Sequence, residues 1–152
     1  MAASRTIGIA ANQIAKEHSA RVISTRRHAA KKVVLPDISA DSIFSTEKWD
    51  LASRVMKITD VRRARIALDP TASPMLSILC AAAATHEQSS SMACYFLVKR
   101  GYPLIPMLTK PLTIVGYQAP GPKRLSAAQD YIFSRLEFGA LVPVIDRTFQ
   151  LD

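Results

Sequence analysis

Ala2-Ala3-Ser4-Arg5-Thr6-Ile7-Gly8-Ile9-Ala10-Ala11-Asn12-Gln13-Ile14-Ala15 reads as a tight loop running straight into a helix. Ile7, Ala10, Ala11 and Ile14 recur at helical spacing, which predicts one apolar, small-residue face. Gly8 stands at the mouth of that helix, where a missing Cβ lets the backbone come close to a ligand. A helix N-terminus also presents free N–H groups and the positive end of a dipole, both suited to phosphate. One glycine is a weak motif, and small residues on a helix face equally serve close packing. The remainder of the chain has to separate a nucleotide site from a packing surface.

Outward from that stretch, helical and extended patterns alternate. Arg21–Thr25 reads as a short strand with Val22 and Ile23 inside, and Ala29–Leu35 as a helix ended by Pro36. Ser42–Phe44 is a strand. Trp49–Thr59 is a helix with Leu51, Val55 and Ile58 on one face and Asp50 near its positive end. Ala64–Leu68 is a strand running into Asp69-Pro70, and Met75–Ala84 is an alanine-rich helix. Met92–Val98 is expected as a strand and Leu104–Thr109 as a short helix. Leu112–Tyr117 is a clear strand before an Ala119-Pro120-Gly121-Pro122 turn. Leu125–Phe138 is an amphipathic helix with Leu125, Ala128, Ile132 and Leu136 inward and Gly139 at its C-terminal end. Pro143–Phe149 reads as a closing strand. Such alternation predicts an α/β fold with a mostly parallel sheet.

The 152 residues suit one domain, residues 1–152, with 49% apolar and 21% charged residues, as a packed globule requires. There is no stretch of 18 consecutive apolar residues and no secretory leader pattern, so a cytoplasmic protein off the membrane is expected. Residues 1–76 hold 13 Lys/Arg against 7 Asp/Glu and residues 77–152 hold 7 against 5, so most of the +8 net charge lies in the first half. It gathers at Arg26-Arg27-His28 with Lys31-Lys32, and at Arg62-Arg63 with Arg65. Basic clusters of this kind suit phosphate-bearing partners, but no recognition motif or interleaved aromatics point to nucleic acid. His18, His28 and His86 are scattered and no His/Cys pair has ligand spacing, so neither zinc nor another metal is expected. Cys80 reads as a small core residue in its alanine-rich helix. Asp69 has no second carboxylate to make an acid/base pair, and Tyr117 and Asp146 read as structural.

Four stretches resemble the nucleotide-binding half of the medium-chain dehydrogenases/reductases, in the quinone-oxidoreductase and zinc-alcohol-dehydrogenase-like branch. They are Ala3–Ala15; Ile23-Ser24-Thr25-Arg26 with Lys31-Lys32; Arg65–Pro70; and Gly139 through Pro143–Asp152, the most specific of the four. The resemblance implies an incomplete Rossmann-type, doubly wound, mostly parallel sheet. It lacks the strand before the glycine loop and the GroES-like catalytic domain. It implies NADP(H) as cofactor, because Thr25 and Arg26 stand where a carboxylate would hold the ribose 2′-OH of NAD. It places Ser4, Arg5, Thr6, Ile7 and Gly8 at the pyrophosphate, and Thr25, Arg26 and Lys31 at the 2′-phosphate. It leaves the catalytic residues unassigned. Arg5 admits two roles: pairing with pyrophosphate, or obstructing a backbone approach that a small residue permits. Arg5, Ser39, Asp60, Arg63, Ser73, His86 and Glu87 occupy positions usually small or Gly in the family, which forces strain where a turn needs left-handed backbone.

The implied function is an NADPH-dependent oxidoreductase of a small quinone, enone or carbonyl, of a kind also used in secondary metabolism. The alternatives are a catalytically silent truncated relative and a non-enzymatic module that binds a homo- or hetero-oligomeric partner through an exposed sheet edge.

Overall fold

The computed structural model describes residues 6–26, 40–46, 50–70, 76–84, 90–94, 109–110, 112–116, 121–145 and 148–150. Helix α1 (Thr6–Glu17) leads to β1 (Ile23–Arg26) and β2 (Ser42–Ser45). Then come α2 (Leu51–Ile58), β3 (Ile66–Asp69), α3 (Leu76–Ala82), β4 (Ser90–Cys94), β5 (Leu112–Gly116) and α4 (Pro122–Glu137). Every ladder among the described residues is parallel. β1 pairs with β2, Ile23 opposite Ser42. β3, β4 and β5 form the second sheet, with Ile66 opposite Ser91 and Ser90 opposite Leu112. The α/β class and the parallel pairing are those the alternation predicts, but the described strands fall into two sheets, β1-β2 and β3-β4-β5.

The helices on one side of these strands hold the two sheets together. Phe44, Leu51, Val55 and Ala82 form a buried cluster, joined by Ile23, Ala52, Ile58, Ala64 and Leu79. Leu79 also packs on Cys80, whose other neighbours include Ala67, Leu112 and Ile114. So α2 and α3 cover both sheets from the same side. α2 forms where expected, two residues shorter at its start because Asp50 caps it: its Oδ1 accepts from Ala52 N at 3.0 Å. Leu51 and Val55 are buried as the spacing predicts. α3 ends on two cations. Lys110 Nζ donates to the carbonyls of Cys80 (3.2 Å), Ala81 (2.8 Å) and Ala83 (3.3 Å), and Arg63 Nη1 donates to Ala81 as well. Positive charge at a helix C-terminus satisfies the open carbonyls and opposes the negative dipole end. Burial, and then the Arg63 charge, hold the Lys110 ammonium below its ordinary pKa.

Three expectations need correction. The inward face of α1 is carried by Gly8 and Asn12, while Ile7 and Ala10 are exposed. Small or hydrogen-bonding residues are what a close approach to β1 requires, and the larger Ile7 is turned outward. In α4, Leu125, Ala128 and Ile132 are exposed and no residue is buried. Its side-chain ties are polar: Tyr131 Oη donates to Glu17, and Arg135 pairs with Glu17 at 2.5 Å. Among the described residues of 143–149 there is no strand. That segment leaves Val142, whose N–H and carbonyl are bonded by the Gln13 side chain at 2.7 and 3.0 Å instead of by a strand. The helices expected at 29–35 and 104–108, and the strand residues 95–98, lie outside the described residues.

Turn geometry follows the sequence more closely. Gly139 (φ 69°) follows the α4 cap Phe138, with Gly139 N bonding Leu136 O and Ala140 N bonding Arg135 O, a left-handed helix stop. Ser19 (φ 57°) ends α1 the same way. Asp60 (φ 49°) and Arg63 (φ 64°), both at positions where the resemblance has small residues, are indeed left-handed, and so is Val61 (φ 67°). A β-branched residue there is strained.

Val61 is 72% exposed, so little packing is lost on truncation. Relief of about 1–2 kcal/mol of left-handed strain outweighs the roughly 0.5–1 kcal/mol entropy cost of glycine. Val61→Gly is therefore expected to raise unfolding stability by about 1 kcal/mol or less, measured by urea denaturation. Asp41 provides a second test. Its carboxylate is held below the ordinary 3.8 by the hydrogen bond from Lys16 and then by that from the Val22 N–H. A depressed folded-state pKa stabilises above the unfolded value, and that stability is lost as pH falls through the folded value. Asp41→Asn should thus destabilise at neutral pH, with the difference from wild type vanishing as pH drops below 3.8.

Candidate dinucleotide-binding site

The connection from α1 to β1 is five residues, 18–22, so the chain turns straight back on itself. Asp41 secures the turn. It bonds Lys16 Nζ at 2.8 Å and Val22 N at 2.7 Å, while its own N–H donates to Val22 O at 2.9 Å. This return puts the N-terminus of α1 and the C-terminal end of β1 at the same end of the pair. Midway, the buried Ser24 hydroxyl donates to the buried Asn12 side-chain carbonyl at 3.0 Å. Gly8 lies four residues from Asn12, a rise of about 6 Å. Arg26 lies two residues from Ser24 in the same direction, about 6.6 Å. The short helix turn and the strand end therefore finish level.

Of the residues named from the sequence, Gly8 is buried in the first turn of α1 and Ile7 beside it is 59% exposed. Thr6 opens the helix. Thr25 and Arg26 are the last two residues of β1, half-buried. The structure thus brings Thr6, Ile7 and Gly8 to the same end as Thr25 and Arg26. Ser4, Arg5 and Lys31 lie outside the described residues. No acidic residue stands in the first turn of α1, so nothing there repels an anion.

In the second sheet the C-terminal ends of the parallel strands lie together, since Asp69 pairs with Cys94 and Cys94 with Gly116. In open α/β sheets ligands bind outside these ends. Asp69 is fully buried at the end of β3. Sequence pattern gave no hint of that burial, because the residue precedes Pro70 and resembles a turn position. The Asn12–Ser24 pair was equally hard to foresee, as two polar residues twelve positions apart carry no periodic signal. Cys80 is fully buried against Ala67 and Leu79, as the alanine-rich setting suggests, and that burial pushes its thiol pKa up. Among the described residues no three His, Cys, Asp or Glu side chains come together as metal ligands, and no helix is long and apolar enough to cross a membrane.

Removing one partner of a buried hydrogen bond leaves the other unsatisfied at a cost of about 1–3 kcal/mol. Asn12→Ala is expected to destabilise by that amount in urea unfolding, whereas Asn12→Ala combined with Ser24→Ala should recover part of the loss.

No family model matches the chain, and no curated protein matches it. Solved structures do. The quinone oxidoreductase of Escherichia coli complexed with NADPH is 20% identical, with a TM-score of 0.78 over 95% of this chain and 46% of its own. An NAD-dependent alcohol dehydrogenase is 26% identical, with a TM-score of 0.77 over 95% of this chain and 41% of its own. The CurK enoyl reductase is 16% identical, with a TM-score of 0.80 over 97% of this chain and 45% of its own. The chain spans less than half the length of each. It has the fold of the nucleotide-binding half of the medium-chain dehydrogenases/reductases, quinone oxidoreductases among them.

Proposed function

We propose that the chain is the cofactor-holding part of an NADPH-dependent oxidoreductase that reduces a small quinone, enone or carbonyl. The observation that carries this is the common end of α1 and β1, where the open N–H groups of Thr6, Ile7 and Gly8 stand level with Thr25 and Arg26. The N–H groups suit a pyrophosphate. Arg26 and the Thr25 hydroxyl suit a 2′-phosphate, and no carboxylate at this strand end would claim a bare ribose. Solved structures of the same fold carry both NADPH and NAD in their names, so the preference rests on these residues of this chain. Bound NADPH supplies the hydride; the protein's share is to bind and orient it. Quinone oxidoreductases and an enoyl reductase among the structural neighbours support the substrate class.

Calorimetric titration with NADPH and NADH tests the reading. NADPH is expected to bind more tightly, and Arg26→Ala should weaken NADPH by about tenfold, or about 1.4 kcal/mol, while leaving NADH nearly unchanged. An absence of NADPH binding at millimolar concentration, or equal affinity for the two nucleotides, would overturn it.

A further inference from the structure

The C-terminal half of α1 is braced by α4 and by the residues just after it. Gln13 takes both backbone groups of Val142: its Nε2 donates to the carbonyl at 3.0 Å and its Oε1 accepts from the N–H at 2.7 Å. One turn further on, Glu17 is shared by two residues of α4. Tyr131 Oη donates to Glu17 Oε2, and Arg135 Nε lies 2.5 Å from Glu17 Oε1. The same phenol is met from two other sides. The His18 ring stacks beside it, with Nε2 3.5 Å from Oη, and the Arg135 guanidinium stands 5.3 Å from the ring centroid. A carboxylate, an imidazole and a guanidinium therefore converge on one tyrosine. The Glu17 carboxylate, and then burial, push the phenol pKa above its ordinary 10.0, so Tyr131 stays a donor. Of the other charged groups on these two helices, Lys16 is turned to Asp41, while Lys123, Arg124, Asp130 and Glu137 are exposed.

We infer that Glu17, His18, Tyr131 and Arg135 form an acid-released clasp, whose opening loosens α4 from α1 while α2 and the strands stay folded. The charges set the direction. With Glu17 ionised, its carboxylate balances Arg135 and accepts the phenol proton. Acid removes that anion and adds a charge to His18. Imidazolium and guanidinium then share one phenol with no anion in the group, so both protonations push the same way. The fold makes α4 the part that yields. None of its 16 residues is buried, so little apolar packing holds it once the polar contacts open. Elsewhere the carboxylates that fix the chain are held below the ordinary 3.8: Asp41 by the hydrogen bonds from Lys16 and Val22 N, Asp50 by those from Ser53 and Ala52 N. β1, β2 and α2 therefore keep these ties in mild acid. The Gln13–Val142 bonds contain no titrating group, so the chain after α4 stays attached and the helix loosens in place. The inference goes beyond nucleotide binding and does not depend on it.

The test uses the full 152-residue chain, with amide hydrogen exchange followed residue by residue by NMR and each rate referred to the unstructured chain at the same pH. Between about pH 7 and about pH 4, which spans the ordinary imidazole and carboxylate ranges, protection over residues 125–137 is expected to fall by about tenfold. Protection over residues 51–58 and 66–69 should hold. Glu17→Gln and Tyr131→Phe should each show the loosened α4 already at neutral pH, and Glu17→Gln should lose most of the acid response. Tyr131→Phe keeps the ring and its stacking, so it decides the matter at neutral pH even where Glu17→Gln does not fold. Four results would each overturn the inference: α4 protection unmoved by acid, a loss shared equally by residues 51–58 and 66–69, an acid response retained in full by Glu17→Gln, or wild-type protection of α4 in Tyr131→Phe.

Discussion

Two parallel sheets depend on one seven-residue helix. α3 lies where the two buried clusters meet, and Leu79 belongs to the packing of both. Its small side chains, Cys80 through Ala82, let it sit close to the strands, with Ala64 and Ala83 just past its end near enough to form an isolated bridge. A helix this short does not hold itself together. Its stability comes from the apolar contacts beneath it and from Lys110 and Arg63, which occupy the carbonyls at its end. The left-handed strain at Asp60, Val61 and Arg63 is connected with that arrangement, because this turn delivers Arg63 to the end of α3.

The candidate site depends on a different constraint, the tight return between α1 and β1. Asp41, the residue before β2, bonds the end of the helix and the residue before β1 through one side chain and one N–H. Asn12 and Ser24 then set how deeply the helix sits on the strand. With both ends of the register fixed, Gly8 and Arg26 arrive at one level. That produces a surface with open N–H groups on one side and a guanidinium on the other, which is an electrostatic arrangement for a phosphate-rich ligand.

Much of this was legible in the sequence, for identifiable reasons. α2 combines a strong cap with three apolar residues at helical spacing, and Leu51, Val55 and Asp50 fall where that pattern puts them. β3 and β5 are short β-branched or aliphatic runs bounded by turn residues, and their limits shift by two residues at most. The left-handed positions at Asp60 and Arg63 could be anticipated from the small residues the family resemblance implies there. α4 shows why spacing can mislead. Leu125, Ala128, Ile132 and Leu136 do lie on one face, but periodicity reports which residues share a side, not whether a layer exists to receive them. The segment 143–149 fails for the same reason: a strand needs a partner edge, which spacing alone does not supply, and its described residues form no strand.

The sequence by itself determined the alternation of helices and strands, the parallel α/β class, the alanine-rich core helix and the concentration of basic residues at the end of the first strand. These follow from local spacing and composition, which act within a few residues of chain. Only the tertiary structure decided that Gly8 and Asn12 face inward instead of Ile7, that the strands divide into two sheets, and that α4 keeps its apolar side in solvent. Those outcomes depend on pairs distant along the chain, Asn12 with Ser24, Glu17 with Tyr131, Gln13 with Val142. Burial is a property of what lies opposite a residue, and a linear pattern carries no record of its opposite side.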